Sequence, residues 1–160
     1  STARPRCETL RAEALPVLAR LLTPGELDRI SRWWDGILGD DRLFDFVPRV
    51  RHGDLWYENV LIDPVRGSLA GIIDFGNVAV ADPAVDFATQ RYLGEEFAAA
   101  VLRAYTGECG SGDHDLAYRA ERLWELRDFY GLRYAIHAAD EDELADSLRK
   151  LRRGPILAPP

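Results

Sequence analysis

His52-Gly53-Asp54-Leu55-Trp56-Tyr57-Glu58-Asn59, followed by Ile73-Asp74-Phe75-Gly76, is the stretch on which the fold turns. Between the two fragments lie two short apolar runs, Asn59-Val60-Leu61-Ile62-Asp63 and Leu69-Ala70-Gly71-Ile72-Ile73-Asp74. Pro64-Val65-Arg66-Gly67 separates them and has turn composition. Runs of this length, punctuated by Pro and Gly, predict a small β-hairpin between residues 58 and 75. Just upstream, Val47-Pro48-Arg49-Val50 reads as a short extended segment.

Outward from this segment the pattern is helical on both sides. Leu10, Ala14, Leu15, Leu18, Leu21 and Leu22 recur at helical spacing within residues 5–22. Thr23-Pro24-Gly25-Glu26 then reads as a helix start, with Thr23 as cap, Pro24 in the first turn and Glu26 closing a capping box. The helix that follows carries Leu27, Ile30, Trp33, Trp34, Ile37 and Leu38. After Pro83, Val85, Ala88 and Tyr92, then Phe97, Ala100, Val101 and Ala104, mark further helix. Residues 107–112 read as a glycine-rich loop carrying Ser111, and residues 113–139 as a long helix that Gly131 bends or interrupts. A last helix begins at Asp140-Glu141-Asp142-Glu143 and ends in Arg149, Lys150, Arg152 and Arg153 before Gly154-Pro155. The fold class expected is mainly α with a small β-hairpin (α+β), in one domain over residues 1–160.

Chemistry concentrates in residues 52–86. Phosphoryl transfer to a hydroxyl needs a carboxylate to orient the attacking hydroxyl and accept its proton, and oxygen ligands to hold a divalent cation against phosphates. Asp54 on a loop, Asn59 at the hairpin's entrance and Asp74 at its exit are candidates for both tasks. A hairpin returns its ends to one edge, so Asn59 and Asp74 converge on a single ion, and oxygen donors without a thiolate or histidine cluster favour magnesium. Each residue also has an ordinary reading: a turn aspartate, a strand-end cap, a hydrogen-bonded His52. Their conjunction in this order carries the weight.

Composition excludes other classes. The net charge of -7 argues against nucleic acid as a partner, because phosphate backbones are bound by clustered cations. No apolar run approaches a membrane span, and the first residues lack the apolar core of a signal peptide. The two cysteines, Cys7 and Cys109, fit no metal spacing, and a reducing cytoplasm is the expected setting. The absence of Met leads us to expect either a removed initiator or a piece of a longer chain.

The stretch His52 to Ala88 resembles the catalytic core of the aminoglycoside phosphotransferase family, which is related in fold to protein kinases. The resemblance is carried by His52-Gly53-Asp54, Asn59, Ile73-Asp74-Phe75-Gly76 and Asp82-Pro83-Ala84-Val85-Asp86-Phe87-Ala88. It implies the carboxyl-terminal lobe of a protein-kinase-like phosphotransferase. By the resemblance Asp54 is the catalytic base, with His52 supporting its loop. Asn59 and Asp74 are the magnesium ligands that hold ATP, and Asp86 is a buried carboxylate bracing the loop. The implied acceptor is a small hydroxylated molecule.

One departure qualifies this. The 51 residues before His52 contain no Lys and no glycine-rich loop after a strand, so the amino-terminal nucleotide lobe is expected to be absent from the chain. The isolated chain is then expected to be inactive and to self-associate through the face the absent lobe would cover. Ile156-Leu157 and Trp33-Trp34 are candidate contributors to that face. A stand-alone binding or interaction module, or an inactive fragment, are the alternative readings. Asp113, Asp115, Asp140, Glu141, Asp142 and Glu143 either face a cationic ligand or serve as helix-start acids.

Overall fold

A computed structural model of the chain describes residues 3–109 and 112–158. Six helices and four short strands follow in the order α1 (Ala3–Leu21), α2 (Pro24–Gly39), β1 (Arg49–Arg51), β2 (Val60–Ile62), β3 (Leu69–Ile72), β4 (Ala79–Ala81), α3 (Ala84–Ala88), α4 (Glu95–Cys109), α5 (Leu116–Ala138) and α6 (Glu141–Arg153). They divide into two compact units. One joins the residues up to Phe44 with those from Glu125 onward; the other is Asp45–Trp124.

The first unit is helical. Its α2 starts as its residue types dictate: Glu26 N donates to Thr23 Oγ1 (3.3 Å) while Thr23 N donates to Glu26 Oε2 (2.8 Å), a reciprocal capping box. Such a cap stabilises a helix by about 1 kcal/mol. Arg152 at the end of α6 donates to Glu26 Oε1 (2.8 Å), which with the cap holds the Glu26 carboxyl down at about 2. The apolar stripes of α1 and α2 supply Leu10, Ala14, Leu18, Ile30, Trp34 and Ile37, all buried. Trp33 stacks on Phe129 of α5 at 5.2 Å, and Trp34 meets the same ring edge-on at 4.8 Å. Trp34 and Leu157 are buried, so these two of the four candidate contributors to an exposed face are core, while Trp33 and Ile156 are half-buried. Helix α5 runs unbroken through Gly131; a Cβ there would come within 2.8 Å of Ser147 Oγ on α6. Asp140 caps α6 by accepting from Glu143 N (3.0 Å), so this acid and its neighbours act at a helix start. Cys7 is a buried free thiol whose pKa burial pushes up.

The second unit holds the strands. β2 and β3 pair antiparallel with a register irregularity between Leu61 and Ile62, which is the expected hairpin. Its turn is closed by Asp63, whose N–H donates to Ser68 O (2.9 Å) and whose carboxylate accepts from Val65 N (2.8 Å) and Arg66 N (3.1 Å). A second antiparallel ladder, β1 with β4, was not expected from the pattern. Its strands are three residues each and far apart in sequence, too short to show a period of two. Helix α4 continues to Cys109, so the expected loop at residues 107–112 is helical over its first three positions; Ser111 lies outside the described residues. Ala84, Leu116 and Ala120 form this unit's core, with Phe87, Leu102, Tyr105 and Leu123 against them.

Candidate functional site

The loop carrying Asp54 is held by a single carboxylate. Asp86, on α3, accepts from His52 N at 2.7 Å through Oδ2 and from Gly53 N at 2.7 Å through Oδ1. Two consecutive amides pointing at one acceptor require a reversal of the chain, and Gly53 provides it at φ +87°. His52 is buried and its ring spans the loop. Its Nε2 meets Ile73 O at 2.9 Å and its Nδ1 meets Asp54 N at 3.3 Å. A carbonyl only accepts and an amide only donates, so the partners select the neutral ring with its proton on Nε2. His52 thereby ties Asp54 to the end of β3.

Asn59 closes the other side. Its side-chain Nδ2 donates to Asp54 O (2.8 Å) and approaches Asp54 Oδ2 (3.5 Å), and its backbone carbonyl accepts from Ile73 N (3.0 Å). That last bond puts Asn59 beside the residue preceding Asp74. Asp74 is exposed and sits in the left-handed region (φ 61°, ψ 63°), a conformation concentrated at functional turns in non-glycine residues. His52, Asp54, Asn59 and Asp86 are thus linked through one hydrogen-bond network, and Asp74 follows directly on Ile73, whose backbone takes part in it. With Asn59 Nδ2 engaged, its side-chain oxygen is the atom left for a hard cation. That oxygen and the Asp74 carboxylate are hard oxygen donors of the type that would suit magnesium, were phosphate and water to complete its shell. Among the described residues no group of three or more His, Cys, Asp or Glu side chains is arranged to hold a metal unaided.

Two supports were not read from the sequence. Thr89 Oγ1 and Gln90 Nε2, just after α3, both donate to Leu55 O (2.5 and 2.6 Å), clamping the residue after Asp54. Deeper, Arg119 of α5 is fully buried between two carboxylates. It donates to Asp82 through Nε and Nη2 (3.0 and 3.1 Å) and to Asp113 through Nη1 and Nη2 (2.9 and 2.6 Å). Asp82 Oδ1 also accepts from Ala84 N (3.0 Å), setting the start of the helix that presents Asp86. Burial would pull Arg119 down; the hydrogen bonds it donates to Asp113 and Asp82 outweigh it and raise its pKa. The Arg119 hydrogen bonds hold Asp113 below the usual carboxylate range, and with both its oxygens engaged Asp113 is not the ligand-facing acid weighed above. The Asp82-Pro83 pair was the available signal, since an acid directly before a helix start is a capping signature. A cleft of about 310 Å³ in this unit, lined by Phe87, Arg91, Glu95, Leu102 and Glu121, includes none of the five candidates.

Viomycin phosphotransferase of Streptomyces vinaceus is 34% identical over 149 residues, 89% of this chain and 47% of that protein. Among solved structures, the GDP and kanamycin complex of APH(2")-IIia aligns with a TM-score of 0.82 at 24% identity, over 96% of this chain and 52% of that one. Macrolide 2'-phosphotransferase type I aligns at 0.63 with 25% identity, over 91% and 47%. The chain spans about half the length of the relatives it matches. No helix among the described residues is long and apolar enough to cross a membrane. Residues 2–124 match the family described as Phosphotransferase enzyme family. By that match, over more than half of its length, this chain belongs to the phosphotransferase enzyme family.

Proposed function

We propose that the chain is the catalytic lobe of a cytoplasmic kinase that moves the γ-phosphoryl group of ATP onto a hydroxyl of a small molecule. The observation that carries this is the network joining Asp54, Asn59 and the end of β3, with Asp86 gripping the loop from behind. In the step proposed, the acceptor oxygen bonds to the γ-phosphorus as the bond from that phosphorus to the β–γ bridging oxygen breaks. The acceptor proton passes to the Asp54 carboxylate, and ADP leaves. Magnesium, when bound, would neutralise charge on the phosphate oxygens. Asn59 Oδ1 and Asp74 would hold it, and His52 keeps Asp54 in place. The curated relative's name, viomycin phosphotransferase, and the kanamycin in the solved complex support a hydroxylated antibiotic as acceptor. The missing half of the relatives' length supports a nucleotide-holding lobe outside this chain, without which transfer by the 160 residues alone is expected to be negligible.

The test uses the full-length protein. Asp54→Asn keeps the size but cannot take the proton, and is expected to lower turnover by about 10²–10⁴-fold. Asp74→Asn removes a negative ligand and is expected to raise the magnesium requirement, with partial recovery in excess magnesium. Full activity in Asp54→Asn, or equal rescue of both variants by magnesium, would show the base to be wrongly assigned.

A further inference from the structure

The loop that carries Asp54 is tied to α3 and its continuation on both sides of that residue, and the transfer step accounts for only one of the two ties. Upstream, Asp86 accepts from His52 N and Gly53 N. Downstream, Leu55 O accepts from Gln90 Nε2 (2.6 Å) and Thr89 Oγ1 (2.5 Å). The same two donors also reach Asp86 O, at 2.9 and 3.0 Å.

We propose that Gln90 is a positioning residue for phosphoryl transfer: its neutral side-chain amide fixes Leu55 O, so that one helical segment holds the peptide bearing Asp54 from both sides. The positioning role rests on the reading of Asp54 as base; the grip on the loop does not.

Helical spacing lets a single segment do this. Residues three and four positions after Asp86 share its face, and they are Thr89 and Gln90, where α3 passes into the 3-10 turn Thr89–Leu93. That face meets the loop with opposite polarity at two points. Asp86 takes the N–H groups before Asp54, and Gln90 gives an N–H to the carbonyl after it. Within the loop, Asp54 O accepts from Trp56 N (3.1 Å) and Asn59 Nδ2 (2.8 Å), bonds that shape the loop by joining it to itself. Together with the bond between His52 and Ile73 O, the bonds from the Asp86 face fix where the shaped loop stands.

The residue type matters as much as the place. Gln90 is 8% exposed, and both atoms its Nε2 meets are carbonyl oxygens, which only accept. An amide has two N–H groups for the two acceptors. Thr89 has one hydroxyl proton, so it serves Leu55 O or Asp86 O but not both at once. A carboxylate at position 90 would set oxygen against oxygen, and an apolar side chain would leave Leu55 O to Thr89 alone. A misplacement of about 1 Å can cost about 10²-fold in rate, so a looser loop shows in turnover before it shows in binding.

The experiment uses the full-length protein with viomycin and kanamycin as acceptor probes. Gln90→Met keeps the length without a donor, and Gln90→Glu keeps the shape. Turnover is expressed per nucleotide-binding site, counted by calorimetric titration, so that lost folded protein is not mistaken for lost positioning. Gln90→Met is expected to lower kcat about tenfold, with KM for ATP and for the acceptor within about twofold. Its amides over residues 52–59 are expected to exchange with deuterium about tenfold faster while those of α4 keep their rates, a readout that decides the matter even if neither probe is phosphorylated. The kcat of Gln90→Glu relative to the parent is expected to climb as pH falls, because protonation restores a donor, whereas the ratio for Gln90→Met stays flat. Should Gln90→Met fail to fold, Gln90→Glu carries the test alone, its donor switched on by acid within one sample. Parental turnover per site in Gln90→Met, parental exchange over 52–59, or a Gln90→Glu ratio that stays low at every pH overturns the proposal. So does lower turnover explained wholly by fewer binding sites. Full activity in Asp54→Asn would sink the base assignment and the positioning role with it, while faster exchange in Gln90→Met would still leave the grip standing.

Discussion

At Gly53 the backbone turns through φ +87° so that its amide and that of His52 reach one carboxylate, and a Cβ there would lie 2.4 Å from Asn77 O. The obstacle is a backbone carbonyl, which cannot swing aside. The left-handed conformation alone costs a residue with a Cβ about 1–2 kcal/mol. Gly67, at φ +65° in the hairpin turn, has nothing within 4 Å of its notional Cβ. Gly67→Ala is therefore expected to lose only the conformational part, about 1–2 kcal/mol, and Gly53→Ala clearly more, both read from urea midpoints. Equal losses would mean that the carbonyl of Asn77 yields and that the loop is softer than its hydrogen bonds indicate. The placement of single residues was legible to unequal degrees. That Asp54, Asn59 and Asp74 would lie on the loop and at the two ends of a hairpin followed from their spacing. The tautomer of His52 did not, because it is decided by Ile73 O and Asp54 N, which only the folded chain brings to the ring.

Among elements, helix α5 carries the fully buried Arg119, and its ion triad makes a pH-dependent prediction. The Asp113 pKa is depressed, chiefly by its hydrogen bonds from Arg119. A carboxyl depressed in the folded state contributes stability above its unfolded value of about 3.9, and loses it as pH falls through the folded value. Asp113→Asn is thus expected to destabilise by about 1.5–3 kcal/mol at pH 7, the gap from the parent closing as pH drops below about 3.9. Urea midpoints at a series of pH values measure it; a gap constant down to pH about 2 would remove the charge argument. This triad was not legible in advance because an arginine at helical spacing looks like a solvated face; only burial separates the two cases. The start of α2 was legible to the residue, since Thr23-Pro24-Gly25-Glu26 is a local device that needs no distant partner. The β1–β4 ladder was invisible for the opposite reason: its pairing of Val50 with Val80 is entirely non-local.

On the scale of the molecule, burial is uneven. In the second unit Val50, Val80, Leu69, Phe75 and Ile62 are between 54% and 76% exposed, and all lie on the two ladders or beside them. Bare apolar surface of this kind favours association. The 160-residue chain is expected to form oligomers that grow with concentration in light scattering and to bind a hydrophobic dye, whereas Val50→Lys with Val80→Glu should reduce both. A monodisperse monomer at high concentration, without dye binding, would contradict it. The first unit has the opposite character. Its core is closed, yet its sequence is split: α1 and α2 precede the strand-bearing unit, and the Phe129 ring that packs on Trp33 and Trp34 follows it. During synthesis the contiguous unit can complete itself as soon as Trp124 has emerged, while Trp34 waits uncovered for more than ninety residues of translation. A chain read from its amino end must therefore finish its middle before it can finish its beginning. The interval in which those tryptophans stand open is when a chaperone, or a neighbouring nascent chain, has most to hold.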